Sequence, residues 1–268
     1  MEVEMLEREG NRLRFIVRGM ILPVANALRR VMISEVPSMA IEDVIIIENS
    51  SPIRDEILAH RLGLIPLRTD LESYLVHENC DCRSEFGCNK CSVTLTLEAE
   101  AVDSSRVVYS KELKSADPCI IPISGEIPIL KLAHNQKVRF EAYARLGRGK
   151  EHAKWQPVSV CVVRSCSKIN IDLEKCSVCK NCVDACNERI FRIEGERIEI
   201  VNSEECNDCE RCKELCSEGA LKVERYEDVF VFDIESTGVM PPEEIFDNAI
   251  ELLRGKAREF IECLSNLK

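Results

Sequence analysis

Residues 176–186 read CSVCKNCVDAC, and residues 206–216 repeat the same cysteine frame as CNDCERCKELC. Both runs have the spacing C-x2-C-x2-C-x3-C, which supplies thiolate ligands to [4Fe-4S] clusters. In such a pair, the first three cysteines of one run bind one cluster, and the fourth binds the cluster of the other run. The frame therefore predicts two ligand sets, which are Cys176, Cys179, Cys182 and Cys216 for one cluster and Cys206, Cys209, Cys212 and Cys186 for the other.

Zinc and disulfides are the alternatives for these eight cysteines. A structural zinc site usually draws two cysteines from each of two separated segments. A third cysteine two residues further on, present in both runs, has no use in that geometry, so the spacing favours iron–sulfur clusters. Such runs normally end in proline, but Asn187 and Ser217 follow the last cysteines here. Because proline is not a ligand, this difference affects the stiffness of the loop and not its ligation.

Composition limits the classes of function. The chain has 268 residues, of which 45% are hydrophobic, so it can bury the core of one large domain or of two to three smaller ones. A net charge of −11 argues against independent, non-specific binding of nucleic acid, but not against membership of a larger nucleic-acid machine. The charged first ten residues are unlike a secretory signal, and no stretch approaches 18 apolar residues. We therefore expect a cytoplasmic protein without a membrane span, whose cysteines bind metal in a reducing environment.

Hydrophobic periodicity predicts an α+β fold in which short strands are punctuated by proline and glycine. A hairpin is expected over residues 2–18, with its turn at Glu9-Gly10-Asn11. Helices are predicted over 22–36 and 52–62, and a third opens at Pro241. The remaining strands are predicted over residues 40–48, 92–101, 119–123, 127–132, 137–145, 157–164 and 226–235.

The last helix carries a regular apolar seam. Its members recur at alternating spacings of four and three residues, and they are Phe246, Ile250, Leu253, Ala257, Phe260, Leu264 and Leu267. Packing of this helix on its own domain is one explanation. A partner helix is the other, and it is favoured because so long a seam exceeds what a small host core can cover.

Four phrases outside the cysteine runs carry a family resemblance. They are NALRR followed by SEVP within residues 26–37, HRLGLIPL at 60–67, GRGKEHAKWQPV at 147–158 and FVFDIES at 230–236. Together they resemble the alpha-like assembly subunits of cellular RNA polymerases. The inserted cysteine runs make the chain similar to the archaeal branch of that family, in which a ferredoxin-like insert accompanies the alpha-like fold. The resemblance covers essentially the whole chain.

The resemblance implies a discontinuous alpha-like dimerisation domain over residues 1–40 and 225–268. An insert domain would occupy 41–167, and a ferredoxin-like module with two [4Fe-4S] clusters would occupy 168–224. The chain would pair with the small alpha-like subunit L, using the seam of its last helix together with Leu28 and Val31. The resulting platform would nucleate assembly of the two large catalytic subunits, with the small subunits N and P associated. This chain would supply no catalytic residue and would meet DNA only through the complex.

A second cysteine group precedes the runs. It comprises Cys80, Cys82, Cys88 and Cys91, which could give four thiolates to one zinc ion. Eukaryotic relatives in the resembled family bind zinc through a similar group with slightly different spacing, whereas free thiols or a disulfide are the alternatives here. The remaining cysteines have no ligand spacing and are expected to be buried or incidental thiols, namely Cys119, Cys161, Cys166 and Cys263.

Other polar motifs give weaker signals. Gly147 and Gly149 do not continue into a phosphate-binding frame, so conformational need in a loop is the preferred interpretation. Arg148, Lys150 and Lys154 are expected to contact a large subunit rather than DNA. The histidines are scattered, and no nucleophile–base pair is visible among them, namely His60, His77, His134 and His152.

Two functions remain to be compared. An assembly scaffold of RNA polymerase uses the clusters to stabilise the insert. A dicluster ferredoxin-type subunit of an oxidoreductase uses them to carry electrons, but no flavin or nicotinamide fingerprint accompanies the runs. A hybrid, in which the redox state of the clusters gates assembly, is also open.

Overall fold

The computed structural model describes residues 1–82, 84–195 and 197–267. The described chain forms two compact units, each assembled from separate segments. The first unit contains residues 1–9, 13–29 and 162–233, and the second contains 10–12, 30–161 and the residues from 234 onward. These units group residues by contact, so the predicted division into a dimerisation domain, an insert domain and an iron–sulfur domain stays a prediction.

Strands and helices alternate irregularly along the chain, and strands predominate. The strands are β1 (Glu2–Glu9), β2 (Arg12–Arg18), β3 (Pro37–Asn49), β4 (Ser92–Ala101), β5 (Arg106–Tyr109), β6 (Lys114–Ser115), β7 (Pro128–Leu132), β8 (Gln136–Arg148), β9 (Val158–Ile171), β10 (Phe191–Glu194), β11 (Arg197–Ile200) and β12 (Leu221–Ser236). The helices are α1 (Leu22–Ser34), α2 (Asp55–Gly63), α3 (Asn181–Ala185), α4 (Arg211–Glu214) and α5 (Pro242–Ser265). The predicted mixture of helices and sheets is confirmed.

The predicted strand over residues 119–123 is wrong. This stretch follows the last strand residue of β6 and forms turns, with one isolated bridge between Pro122 and Leu67. Its backbone bonds go to a neighbouring loop, because Arg68 N–H donates to the Ile121 carbonyl over 2.8 Å. Pro118 and Pro122 remove two N–H donors, which prevents a regular ladder. The apolar pattern instead reflects burial of single side chains such as Ile120, which is fully buried.

The first unit is built on a four-stranded sheet in the order β1-β2-β12-β9. Aromatic packing joins its two middle strands, since the rings of Phe15 on β2 and Phe232 on β12 stack with centroids 5.1 Å apart. Residues 229–232 of β12 are all buried. Strands β9 and β12 each continue past the limits of the first unit, so both units take residues from the same two strands.

The second unit is built on a four-stranded sheet in the order β3-β8-β4-β6. Strand β8 is central and pairs antiparallel with β3 on one side and β4 on the other. Alternate side chains of β4 and β8 are buried, as the period-two pattern in the sequence predicts. They pack with Leu58 and Leu62 of α2 in one core. This core keeps β3, β4 and β8 in register and provides a rigid base for the loop over residues 75–91.

Helix α1 buries two residues that were predicted to contact the partner subunit. Leu28 and Val31 are 4% and 5% exposed, so they lie in the core beside Ala25 and Met32. Their assignment to the partner interface is therefore corrected, because a side chain that its own chain covers is not offered to another. The exposed apolar residues of this segment lie earlier, at Ile21, Leu22 and Val24.

Helix α5 divides into two halves. Ile245 and Ala249 are fully buried in the first half, and Phe246, Ile250 and Leu253 are half-buried. From Lys256 to Leu267 every residue is exposed, including the large apolar side chains of Phe260, Ile261 and Leu264. The first half thus has buried apolar residues, whereas the second half presents its apolar residues to solvent.

Gly147 and Gly149 are needed for space. A Cβ atom at Gly147 would lie 2.3 Å from the ring of Trp155, and one at Gly149 would lie 2.2 Å from the backbone oxygen of Ile33. Neither has a left-handed backbone, since the positive-φ glycines lie elsewhere. The expected conformational role is therefore replaced by close packing at and just after the end of β8 against these two neighbours.

We expect Gly149→Ala to destabilise the second unit by about 1–3 kcal/mol, because the added carbon cannot fit against a backbone carbonyl. Gly255→Ala is the matched control. It lies on α5, and a Cβ there would meet nothing within 4 Å, so it should add up to about 1 kcal/mol of helix stability. Urea unfolding of both full-length variants measures the difference, and equal midpoints would contradict the packing argument.

Candidate metal centres

Both predicted cluster ligand sets are brought together by the fold. One cavity is lined by Cys176, Cys179, Cys182 and Cys216, with Ile171, Ile198 and Leu221 around them. A second cavity is lined by Cys186, Cys206, Cys209 and Cys212, with Ile169, Ile190, Phe191 and Val223 around them. Each cavity thus takes three sulfurs from one run and the fourth from the other, and the surrounding side chains are largely apolar.

The backbone of the two runs is duplicated as well as their sequence. Left-handed residues recur at an offset of 30, in the pairs Val178 and Asp208, Lys180 and Glu210, and Arg189 and Gly219. A left-handed conformation costs a residue other than glycine roughly 1–2 kcal/mol. Turns of this kind create concavities lined by backbone N–H groups, which suit anionic groups such as thiolate-bound iron–sulfur clusters. The cysteine loops are therefore shaped for a ligand at an energetic cost in the backbone.

The cysteines form much of the core of this module. Cys182 and Cys206 are buried in one hydrophobic cluster with Ile190, Phe191 and Leu221. The other cysteines that line the two cavities, except Cys179 and Cys209, pack against it. Burial raises the pKa of the Cys212 thiol to about 11 and also raises that of Cys182. These thiols consequently hold their protons at neutral pH unless an electropositive metal stabilises the thiolate. Four sulfur donors around an apolar cavity fit an iron–sulfur cluster.

The second cysteine of each run lies at the surface. Cys179 and Cys209 occupy equivalent positions, and both are exposed, in contrast with the buried Cys182 and Cys206. Each site therefore has one corner open to solvent. The backbone N–H of Ala220 donates to the Sγ atom of Cys216 over 3.3 Å, which stabilises negative charge on that sulfur.

The other cysteine group forms a compact set of four sulfurs. The Sγ atoms of Cys80, Cys82, Cys88 and Cys91 all lie within 4.8 Å of one another. The separations are 3.7 Å for Cys80 and Cys88, 3.5 Å for Cys82 and Cys91, and 3.9 Å for Cys88 and Cys91. A tetrahedral zinc ion with Zn–S bonds of about 2.3 Å places its sulfurs about 3.8 Å apart. These separations therefore suit a zinc ion. None of the four cysteines is paired in a disulfide.

The electrostatics of this group differ from sulfur to sulfur. A hydrogen bond from the backbone N–H of Lys90 lowers the pKa of Cys88 to about 7. Burial raises the pKa of Cys91 to about 12. His77 lies beside them, with its Nδ1 atom 3.6 Å from the Cys91 Sγ atom. The sequence pattern groups His77 with the scattered histidines and does not connect it to this site. Its position three residues before Cys80 is the signal that could have done so.

The cysteine group is fixed to the sheet of the second unit. Phe86, within the loop, stacks on Tyr143 of β8 with ring centroids 4.9 Å apart. Backbone pairing closes the base of the loop, since Leu75 N–H donates to the Lys90 carbonyl over 2.9 Å. A metal bound here would cross-link residues 80–91 to one another, and the Phe86–Tyr143 stack holds this loop on β8.

Lys154 is engaged within its own unit. Its ammonium group is ion-paired with Glu42, donates to the Ile41 carbonyl over 3.0 Å and lies 4.4 Å above the ring of Trp155. Its side chain is 12% exposed. The predicted role of Lys154 in contacting a large subunit thus gives way to an internal one, whereas Lys150 is exposed.

The remaining cysteines are separate from these centres. Cys119 and Cys263 are exposed, Cys161 is half-buried and Cys166 is buried. Burial raises the pKa of the Cys166 thiol, which makes it unreactive.

Among the described residues, no helix combines the length and apolar character needed to cross a membrane.

Two regions of the chain match known protein families. Residues 44–165 match the RNA polymerase Rpb3/RpoA insert domain, and residues 168–217 match the 4Fe-4S dicluster domain. The chain is 39% identical to DNA-directed RNA polymerase subunit Rpo3 of Archaeoglobus fulgidus, over 100% of this chain and 99% of that protein. It is 39% identical to the Methanosphaera stadtmanae Rpo3 over 99% of each chain. It is 37% identical to the Thermococcus kodakarensis Rpo3 over 99% of this chain and 98% of that protein. The match to the dicluster domain supports the prediction that the chain binds iron–sulfur clusters.

We expect removal of iron to unfold the cysteine module locally. Six of its eight predicted ligand cysteines lie in or against its core, so metal binding and folding are expected to be linked there. In hydrogen exchange, the amides of α3, α4 and β10 should lose protection after anaerobic chelation, whereas those of β4 and β8 should keep theirs. Retained protection in α3 and α4 without iron would show that the module folds on apolar contacts alone.

Proposed function

The chain belongs to the family of DNA-directed RNA polymerase subunit Rpo3, and on this premise we propose that it is a non-catalytic assembly subunit of such a polymerase. The observation that carries the proposal is a match that runs through the whole chain, with an Rpb3/RpoA insert domain directly followed by a dicluster domain. The oxidoreductase alternative is not favoured, because the sequence outside the dicluster domain resembles polymerase subunits and has no cofactor fingerprint of a redox enzyme.

The proposed partner is the small alpha-like subunit L, and the proposed contact surface is the exposed half of α5. Phe260, Leu264 and Leu267 of the predicted seam are 66%, 47% and 81% exposed, which leaves a continuous apolar stripe for a partner helix. Half-buried Phe246, Ile250 and Leu253, with exposed Ala257, would extend it toward the start of the helix. Ile21 and Leu22 replace Leu28 and Val31 as proposed contacts at the start of α1.

The heterodimer would then form the platform on which the two large catalytic subunits assemble, with the small subunits N and P associated. DNA would be contacted only through the complex, in the cytoplasm and away from membranes. The net charge of −11 supports indirect contact with DNA, because such a chain has no general attraction for the phosphate backbone.

We assign two [4Fe-4S] clusters to the two cavities, each with the cysteine set that lines it. Their proposed role is structural, since six of the eight cysteines lie in or against the core of the module. A redox role in gating assembly is compatible with the exposed positions of Cys179 and Cys209. We assign one zinc ion to Cys80, Cys82, Cys88 and Cys91. The sulfur separations support this assignment.

Affinity purification of the chain from its own host under strict anaerobiosis tests the function. Recovery of the two large polymerase subunits and a small alpha-like chain is the expected result. Recovery of a flavin or ketoacid oxidoreductase would overturn the scaffold proposal and favour electron transfer.

The interface can be tested with one added charge. Leu264→Glu places a carboxylate in the proposed seam, where pairing would have to bury it, so affinity for the alpha-like partner should fall at least tenfold. Ser265→Glu adds the same charge at the adjacent outward-facing position and should leave affinity unchanged. Titration calorimetry of the two variants with the purified partner gives both values. Equal affinities would exclude the seam as the contact.

The zinc assignment predicts a change in metal content. Cys88→Ser should reduce bound zinc from about one ion per chain to near zero, because a three-sulfur site holds the ion far less tightly. Cys119→Ser, at an exposed thiol outside the group, should leave zinc unchanged. Elemental analysis of the two purified variants measures zinc and iron together, and a wild-type chain without zinc would refute the assignment.

A further inference from the structure

One acidic residue links a cluster site to the sheet of the first unit. Glu205 directly precedes Cys206, a ligand cysteine of the second cavity. Its carboxylate accepts hydrogen bonds from Arg14 over 2.6 Å and from Arg164 over 3.3 Å. Arg164 also donates to the backbone carbonyl of Cys206 over 3.0 Å. Two arginines therefore bind the first residues of this cysteine loop, Glu205 and Cys206.

These arginines connect the loop to every strand of the sheet. Arg14 lies on β2 and pairs with Glu7 of β1 at 3.4 Å and with Asp233 of β12 at 3.6 Å. Arg164 lies on β9. The arginine side chains are only 14% and 27% exposed, so solvent screens these charge-assisted bonds less than it screens surface ion pairs.

The first cysteine run has the opposite arrangement at the equivalent position. Lys175 precedes Cys176 as Glu205 precedes Cys206. Its side chain is 63% exposed and pairs with Asp172, three residues earlier in the same loop. The duplication is therefore asymmetric. At this position the second run is fixed to distant strands, whereas the first is paired locally.

We propose that Glu205 is a positioning residue that couples the cluster held by Cys186, Cys206, Cys209 and Cys212 to the four-stranded sheet. The inference rests on the proposed placement of that cluster and goes beyond it, because it makes the two clusters unequal. Loss of this cluster frees the Cys206 loop, releases Glu205 from Arg14 and Arg164, and loosens the sheet. In the other direction, the sheet slows the opening of this loop and the escape of iron.

Single-cluster backgrounds of the full chain test the coupling. Cys179→Ser leaves only the site containing Cys206, and Cys209→Ser leaves only the other site. In the first background, Glu205→Gln should release iron to a chelator roughly tenfold faster, as expected for the loss of charge-assisted hydrogen bonding. In the second background it should have no effect. Lys175→Gln is the matched control and should leave the rate in the first background unchanged.

A variant on the distant strand distinguishes the coupling from a purely local role of Glu205. Arg14 is 191 residues away in sequence. Arg14→Gln should also speed release from the Cys206 site, and the double variant with Glu205→Gln should be no faster than the stronger single variant. If Arg14→Gln leaves the rate unchanged, or if Glu205→Gln acts equally in both backgrounds, the coupling is refuted. If the Cys179→Ser background binds no iron, the cluster placement itself fails, and the coupling with it.

Hydrogen exchange of the wild-type chain gives a measurement that needs no variant. Chelation of iron should raise exchange at the amides of β2 and β9 that flank Arg14 and Arg164. Unchanged exchange at both strands after complete removal of iron would overturn the proposal.

Discussion

The cysteine module depends on one constraint, which is that six of its eight predicted ligand cysteines lie in its core or pack against it. A segment this short buries few large apolar side chains, and Cys182 and Cys206 occupy places that leucine or isoleucine would fill in an ordinary core. The left-handed turns at residues such as Val178 add a cost that apolar packing alone does not offset. Bonds between iron and sulfur supply what the apolar contacts lack. Two long strands flank the module in the chain, since β9 leads into it and β12 leads out of it.

The two units divide the work of a scaffold. The second unit has a conventional core of alternating strand residues, so its sheet holds its shape without assistance from the clusters. The first unit combines a sheet with the metal-dependent module, and the salt-bridge network around Arg14 and Glu205 joins the two parts. Stability of the chain is therefore uneven. One chain thus combines a sheet with a conventional core and a module whose order is expected to depend on bound iron and sulfide.

Much of this could be predicted from short-range pattern, and the rest could not, for physical reasons. Ligand spacing restricts how thiolates meet a cluster, so both cysteine sets could be written from the sequence, although their ligand roles stay predictions. Period-two alternation identified β4 for the same kind of reason. By contrast, the burial of Leu28 depends on which of two apolar faces of α1 the rest of the chain covers. The positions of His77 and Glu205 depend on segments that are distant in sequence and close in space.

The exposed half of α5 has a consequence for the supply of this protein in the cell. An unpaired chain displays Phe260, Ile261 and Leu264 to solvent on the last turns of the helix. Apolar surface of this kind is what chaperones and proteases recognise in incomplete proteins. A chain without its partner would thus be marked for removal by the same side chains that the proposed pairing covers. The steady-state amount of this subunit should accordingly follow the amount of its partner, so that matched stoichiometry arises from turnover without separate control of synthesis.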